Sequence, residues 1–186
     1  MKNFLEALNR PADAYRRQSR AIAWLFVAAT IIIVTVFDPI LHHFSNPGYH
    51  ADLFHIFRTA LWGIAGYLLI SCILWLICKC FGSKTALSVY INTWGLSFFP
   101  NILCSFIVAV TEAYFYVFWN SLLWSMVLSI VFVGILIWKI ILYIIFLKEA
   151  AALQGGKLAG AFLVNAVMIA FLTAFNGYIG LKTPII

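Results

Sequence analysis

Four polar side chains stand inside stretches that are otherwise apolar: Ser71, Asn92, Lys139 and Asn165. Counted from the nearer end of each run, Ser71 lies about eight residues from Lys79 and Asn92 about seven from Thr85. Lys139 lies about nine residues from Lys148, and Asn165 about eight from Lys157. At about 1.5 Å of rise per helical residue, all four fall roughly 10–14 Å in from one common side. Lys139 is the one whose chemistry matters most, because an ammonium in hydrocarbon must find a partner or escape to the headgroups. Two readings follow. Either the four form a polar layer around Lys139, or Lys139 snorkels outward while the others bond the backbone of their own helices.

A second group concentrates every histidine of the chain into one segment: Asp38, His42, His43, His50, Asp52 and His55. Imidazole with carboxylate suits zinc-like ions or proton sensing. The candidate ligand set is His42, His43, His50, Asp52 and His55. Its spacing matches no known ligand pattern, and only His50 with Asp52, or Asp52 with His55, are close enough to share a rigid local frame. A solvated interfacial loop is the competing expectation. Cys72, Cys78, Cys80 and Cys104 lie in or beside apolar runs, where a reduced thiol behaves as a small apolar residue. Acylation of Cys78 or Cys80 at a membrane boundary is the alternative role.

Other chemistry is missing. The sequence has no Gly-x-Ser-x-Gly frame, no His-Glu-x-x-His, no glycine-rich phosphate loop and no paired carboxylates within an apolar run. The expectation is therefore a protein that is not an enzyme and carries no cofactor. The net charge of +6 does not argue for nucleic acid, because the basic residues gather beside the ends of apolar runs.

The elements that must position these residues are membrane helices. Of 186 residues, 65% are hydrophobic and 10% charged, too few charges to cover a water-soluble globule, so lipid must solvate most of the surface. Five spans are expected, at 21–37, 59–78, 85–110, 122–147 and 158–175. The first reads as an uncleaved helix, since Phe37-Asp38-Pro39 offers no cleavage pattern. In the third, Gly95 and Pro100 predict a kink or break, because proline leaves a carbonyl unpaired one turn earlier. Ala166, Ala170 and Ala174, in line with Gly156 and Gly160, predict close helix packing within the bundle or between copies. Ahead of the spans, residues 1–20 form a basic, amphipathic segment in which Arg16, Arg17 and Arg20 would meet anionic lipid. Residues 21–186 would form one transmembrane domain.

Orientation follows from the charges. Lys2, Arg10, Arg16, Arg17, Arg20, Lys79, Lys84, Lys148 and Lys157 fall on the N-terminal side, against Arg58 and Lys182 on the other. The positive-inside rule then puts the N-terminus in the cytoplasm and, after five spans, the C-terminus outside. The fold class is an all-α membrane bundle of five helices.

Several stretches resemble the Yip-domain family in its bacterial form. They are the opening Leu8-Asn9-Arg10-Pro11-Ala12-Asp13-Ala14-Tyr15-Arg16, the turn Phe81-Gly82-Ser83-Lys84, the run from Tyr90 to Pro100, and the stretch from Trp138-Lys139 to Gly160 with Leu153-Gln154-Gly155-Gly156-Lys157. The resemblance implies five spans and a cytoplasmic N-terminus. Eukaryotic members bind prenylated Rab-type GTPases, but the family's Asp-Leu-Tyr-Gly-Pro signature is absent here and the tail is about twenty residues long. It implies a bacterial inner-membrane protein, and no catalytic residues. The leading expectation is a scaffold or accessory subunit for membrane proteins or lipid, with homo-oligomers an option. Transport or lipid translocation past Lys139, and an outward-facing metal or pH sensor, are the alternatives.

Overall fold

The computed structural model describes residues 8–46, 53–115 and 120–178. Among them every regular element is helical, and five helices are long and apolar enough to cross a membrane: Arg20–Ser45, Ile56–Cys80, Leu87–Tyr114, Leu122–Glu149 and Gly155–Leu172. In chain order the elements are α1 (Pro11–Arg16), α2 (Arg20–Ile32), a π-helical segment (Ile33–Phe37), α3 (Asp38–Ser45), α4 (Leu53–Cys80), α5 (Leu87–Thr93), a 3₁₀ segment (Trp94–Phe98), α6 (Phe99–Tyr114), α7 (Leu122–Glu149) and α8 (Gly155–Tyr178). Leu, Ile, Val and Phe face outward along α4, α7 and α8, as an element solvated by lipid requires.

The first span runs past its expected end at Phe37. Pro39 stands in the first turn of α3, and because the helix is continuous its missing N–H leaves the ladder one donor short. The Asp38 N–H reaches back five residues to the Ile33 carbonyl, so the helix widens into a π turn and continues to Ser45. His42 and His43 therefore stand on a helix, not in a loop.

The third span is interrupted. α5 ends at Thr93, the chain tightens into 3₁₀ geometry over Trp94–Phe98, and α6 follows with Pro100 in its first turn. All five residues of the 3₁₀ segment are buried. Non-helical backbone at membrane depth survives only when protein encloses it. Here α2 lies so close that a Cβ on Gly95 would stand 2.5 Å from the Ala23 carbonyl oxygen. Only glycine allows that approach.

The core is strongest at the end of the bundle where the basic residues gather. α1 is docked there with Ala14 and Tyr15 buried, and the Tyr15 ring meets Phe146 edge-on at 5.8 Å. The turn after α4 locks onto the turn after α7: the Ser83 hydroxyl donates to the Ala151 carbonyl at 2.7 Å, and Tyr90 donates to Ser83 at 3.2 Å. Gly82 makes that turn at φ +92°, a backbone conformation that glycine adopts without strain. Phe81 packs on Gly160, where a Cβ would stand 2.6 Å from its ring.

Candidate functional site

The interrupted span is held open by one side chain. Tyr67 of α4 is fully buried, stacks on Trp94 at 5.4 Å and meets Phe98 edge-on at 5.6 Å. Its hydroxyl donates to the Ile91 carbonyl at 2.6 Å and accepts from the Gly95 N–H at 3.1 Å. Those are the carbonyl and the amide, four residues apart, that an unbroken α-helix would pair with each other where α5 gives way to the 3₁₀ segment. A phenol thus replaces ladder hydrogen bonds that the 3₁₀ geometry forfeits, which lipid could not do.

Beside this break a cavity of about 630 Å³ opens between α7 and α8. That is within the span of about 300–1,000 Å³ typical of small-molecule sites. Trp94 and Ser97 of the 3₁₀ segment, Ile70 of α4 and Phe162 of α8 are among its apolar and weakly polar walls. Ala166, Ala170 and Ala174 all line it, so the small-residue stripe of α8 leaves room here. Lys139 and Tyr143, one helical turn apart on α7, supply its strongest polar groups. Tyr143 is 7% exposed and its hydroxyl has no hydrogen-bond partner among the described residues. None of the described lining residues is acidic. A cation and an unused phenol in an otherwise greasy cleft can together receive a negatively charged or strongly accepting group.

The other residues of the expected polar layer turn to their own helices. Ser71 donates to the Tyr67 carbonyl at 2.8 Å, Asn92 to Ser88 at 2.7 Å and Asn165 to Ala161 at 2.8 Å, each four residues back. Asn92 also accepts from the Trp24 indole at 3.1 Å, tying α5 to α2. Asn165 lies 4.0 Å from the Cys78 sulfur, and its carbonyl oxygen is buried without a partner among the described residues. Of the four, Lys139 alone lines the cavity. Gly95 lies within the 3₁₀ break and Pro100 in the first turn of the helix after it.

Arg16, Arg17 and Arg20 are exposed at the basic end. Arg16 is engaged by protein: its Nε meets the Glu149 carboxylate at 2.6 Å and its Nη2 the other oxygen at 3.2 Å. This bidentate bond raises the guanidinium further above its ordinary value. It clasps α1 to the end of α7, beside the buried Ala14 and Tyr15 that seat the N-terminal helix in the bundle. A partner across more than a hundred residues leaves no mark in local spacing.

Of the candidate metal ligands, His50 and Asp52 lie outside the described residues, and so does the side chain of His55. His42 does gather partners, on a pattern its neighbours do not reveal. Its Nε2 lies 3.6 Å from Asp38, one turn earlier, and one coordinating atom each from Asp38, His42 and Glu112 lie within 4.8 Å of one another. Glu112, at the far end of the third span, has no sequence signal pointing to His42. Only the placement of α3 beside α6 joins them.

A family model described as Yip1 domain matches residues 5–176. No curated protein and no solved structure matches the chain.

Proposed function

The chain belongs to the Yip1 domain family, and we propose on that premise that it is a non-catalytic scaffold or accessory subunit that engages an anionic amphiphile at Lys139. It would sit in an inner, cytoplasmic membrane with its N-terminus inside and its C-terminus outside. The ligand carries a carboxylate or phosphate group on an apolar chain and enters from the membrane. The observation that supports this is that Lys139 and Tyr143, whose hydroxyl has no partner among the described residues, line one cavity with no acidic residue among its described walls. A lysine at the centre of a membrane helix costs about 2.5–3.5 kcal/mol on insertion scales. An anion beside it offsets that cost, and the alanine-lined wall leaves room for an acyl chain.

The test is lipid retention. Purified in mild detergent, the wild-type protein retains an anionic lipid or fatty acid detectable by native mass spectrometry, and Lys139→Met loses it. Adding back an anionic phospholipid or oleate separately identifies which headgroup the site takes. Equal retention by both proteins, or none by either, would sink the reading.

A second reading, movement of such a ligand through the cleft, is favoured by the broken third span, because interrupted helices often border transport sites. Liposome flux that depends on Lys139 would support it, and binding without flux would leave the protein as a scaffold.

A further inference from the structure

At the end of the bundle opposite the basic cluster, first and third spans bring together three side chains that the Lys139 site does not use. Asp38 and His42 stand one turn apart on α3, so both project from one face. Glu112 comes from the last turns of α6. The helices reach the same level together: Phe37 stacks on Phe106 at 5.4 Å with rings 15° apart. His42 follows five residues beyond Phe37, and Glu112 six beyond Phe106. Asp38 and His42 are 21% and 29% exposed, sheltered but still open to an ion from solvent.

We propose that Asp38, His42 and Glu112 form a divalent transition-metal site, with zinc the preferred ion. One imidazole nitrogen and two carboxylate oxygens make a three-ligand set of the kind that leaves zinc an open fourth position for water. For bonds of about 2.0–2.1 Å, tetrahedral geometry puts ligand atoms about 3.3–3.4 Å apart. His42 Nε2 and Asp38 Oδ1 already stand 3.6 Å apart, and the widest separation in the set is within 4.8 Å. Side-chain torsions suffice to close that difference. The imidazole favours zinc over manganese, and both over magnesium, which prefers an all-oxygen shell.

The π turn aims the ligands. Its wider winding rotates everything after Phe37 relative to a continued α-helix, and this sets the face on which Asp38 and His42 lie. A bound ion would pin the end of the first span to the end of the third. It would thereby fix the winding that the π turn introduces.

Titration of the full-length protein in detergent with zinc, manganese and magnesium chlorides, by calorimetry, tests the site directly. One zinc per chain is expected, at least tenfold tighter than manganese, with no measurable heat from magnesium. His42→Gln, Asp38→Asn and Glu112→Gln each weaken zinc binding by tenfold or more, while His43→Gln leaves it unchanged. X-ray absorption of the zinc-loaded protein shows nitrogen and oxygen ligands including one imidazole. Helical circular dichroism and gel-filtration profiles confirm that each variant is folded. Zinc binding weaker than about millimolar overturns the proposal. So does binding that survives His42→Gln and Glu112→Gln but vanishes on replacing His50 and His55.

Discussion

The two irregular segments of the bundle make opposite departures from the α-helix, and each is followed by a proline. Ile33–Phe37 is overwide, with Pro39 just beyond, and Trp94–Phe98 is overtight, with Pro100 just beyond. The π segment keeps the first span continuous. Its one polar side chain, Thr35, donates to the Ile31 carbonyl within its own helix at 2.7 Å. The 3₁₀ segment divides the third span and depends on Tyr67 from another helix. A break repaired locally can face lipid, and Val36 does so. One repaired from outside must be enclosed, and every residue of Trp94–Phe98 is.

Tyr67→Phe tests this difference most severely. It removes the hydroxyl that pairs with the Ile91 carbonyl and the Gly95 amide at the entry to the break, while leaving the ring stack in place. Each buried orphan costs about 1–3 kcal/mol, so the variant should fall well below wild type in reversible unfolding followed in mixed detergent micelles. An unchanged midpoint would show that the break finds its partners elsewhere. Gly95→Ala comes next. Its methyl would press on the Ala23 backbone, which cannot swing aside as a side chain can, at about 1–3 kcal/mol for overpacking. The same measurement applies, and a neutral result would mean that α2 and the 3₁₀ segment are not in close contact.

These two residues also mark the limit of what the sequence discloses. The spans are written in apolar runs, and Gly95 with Pro100 announce an irregular third helix. The type of irregularity is not announced, because it depends on Tyr67 some 28 residues earlier. The same holds at both ends of the bundle. Nothing in the spacing around Arg16 announces Glu149 beside it, and the histidine segment gives no hint of Glu112. Local spacing records which groups a helix carries. It does not record which helix stands opposite.

Pro39→Ala probes the other break. With a donor restored, the first span can close its π turn into a regular α-helix, at a stability change within about 1 kcal/mol, the scale of one ladder hydrogen bond. The rotation of α3 that follows should separate His42 from Glu112, seen as weaker zinc binding without loss of fold. Retained affinity would show that the π turn has another cause.

The smallest effect belongs to Thr35→Val. Valine keeps the branched shape and takes away the hydroxyl together with its hydrogen, so no donor is left stranded. The Ile31 carbonyl loses one bond within its own helix, and hydrogen bonds between side chains in membrane bundles average about 0.6 kcal/mol in double-mutant cycles. The unfolding midpoint should move by no more than that, far less than with Tyr67→Phe. Comparable losses from the two variants would mean that the π turn also relies on a hydroxyl to hold its shape, and the distinction between a self-repaired break and an enclosed one would fail.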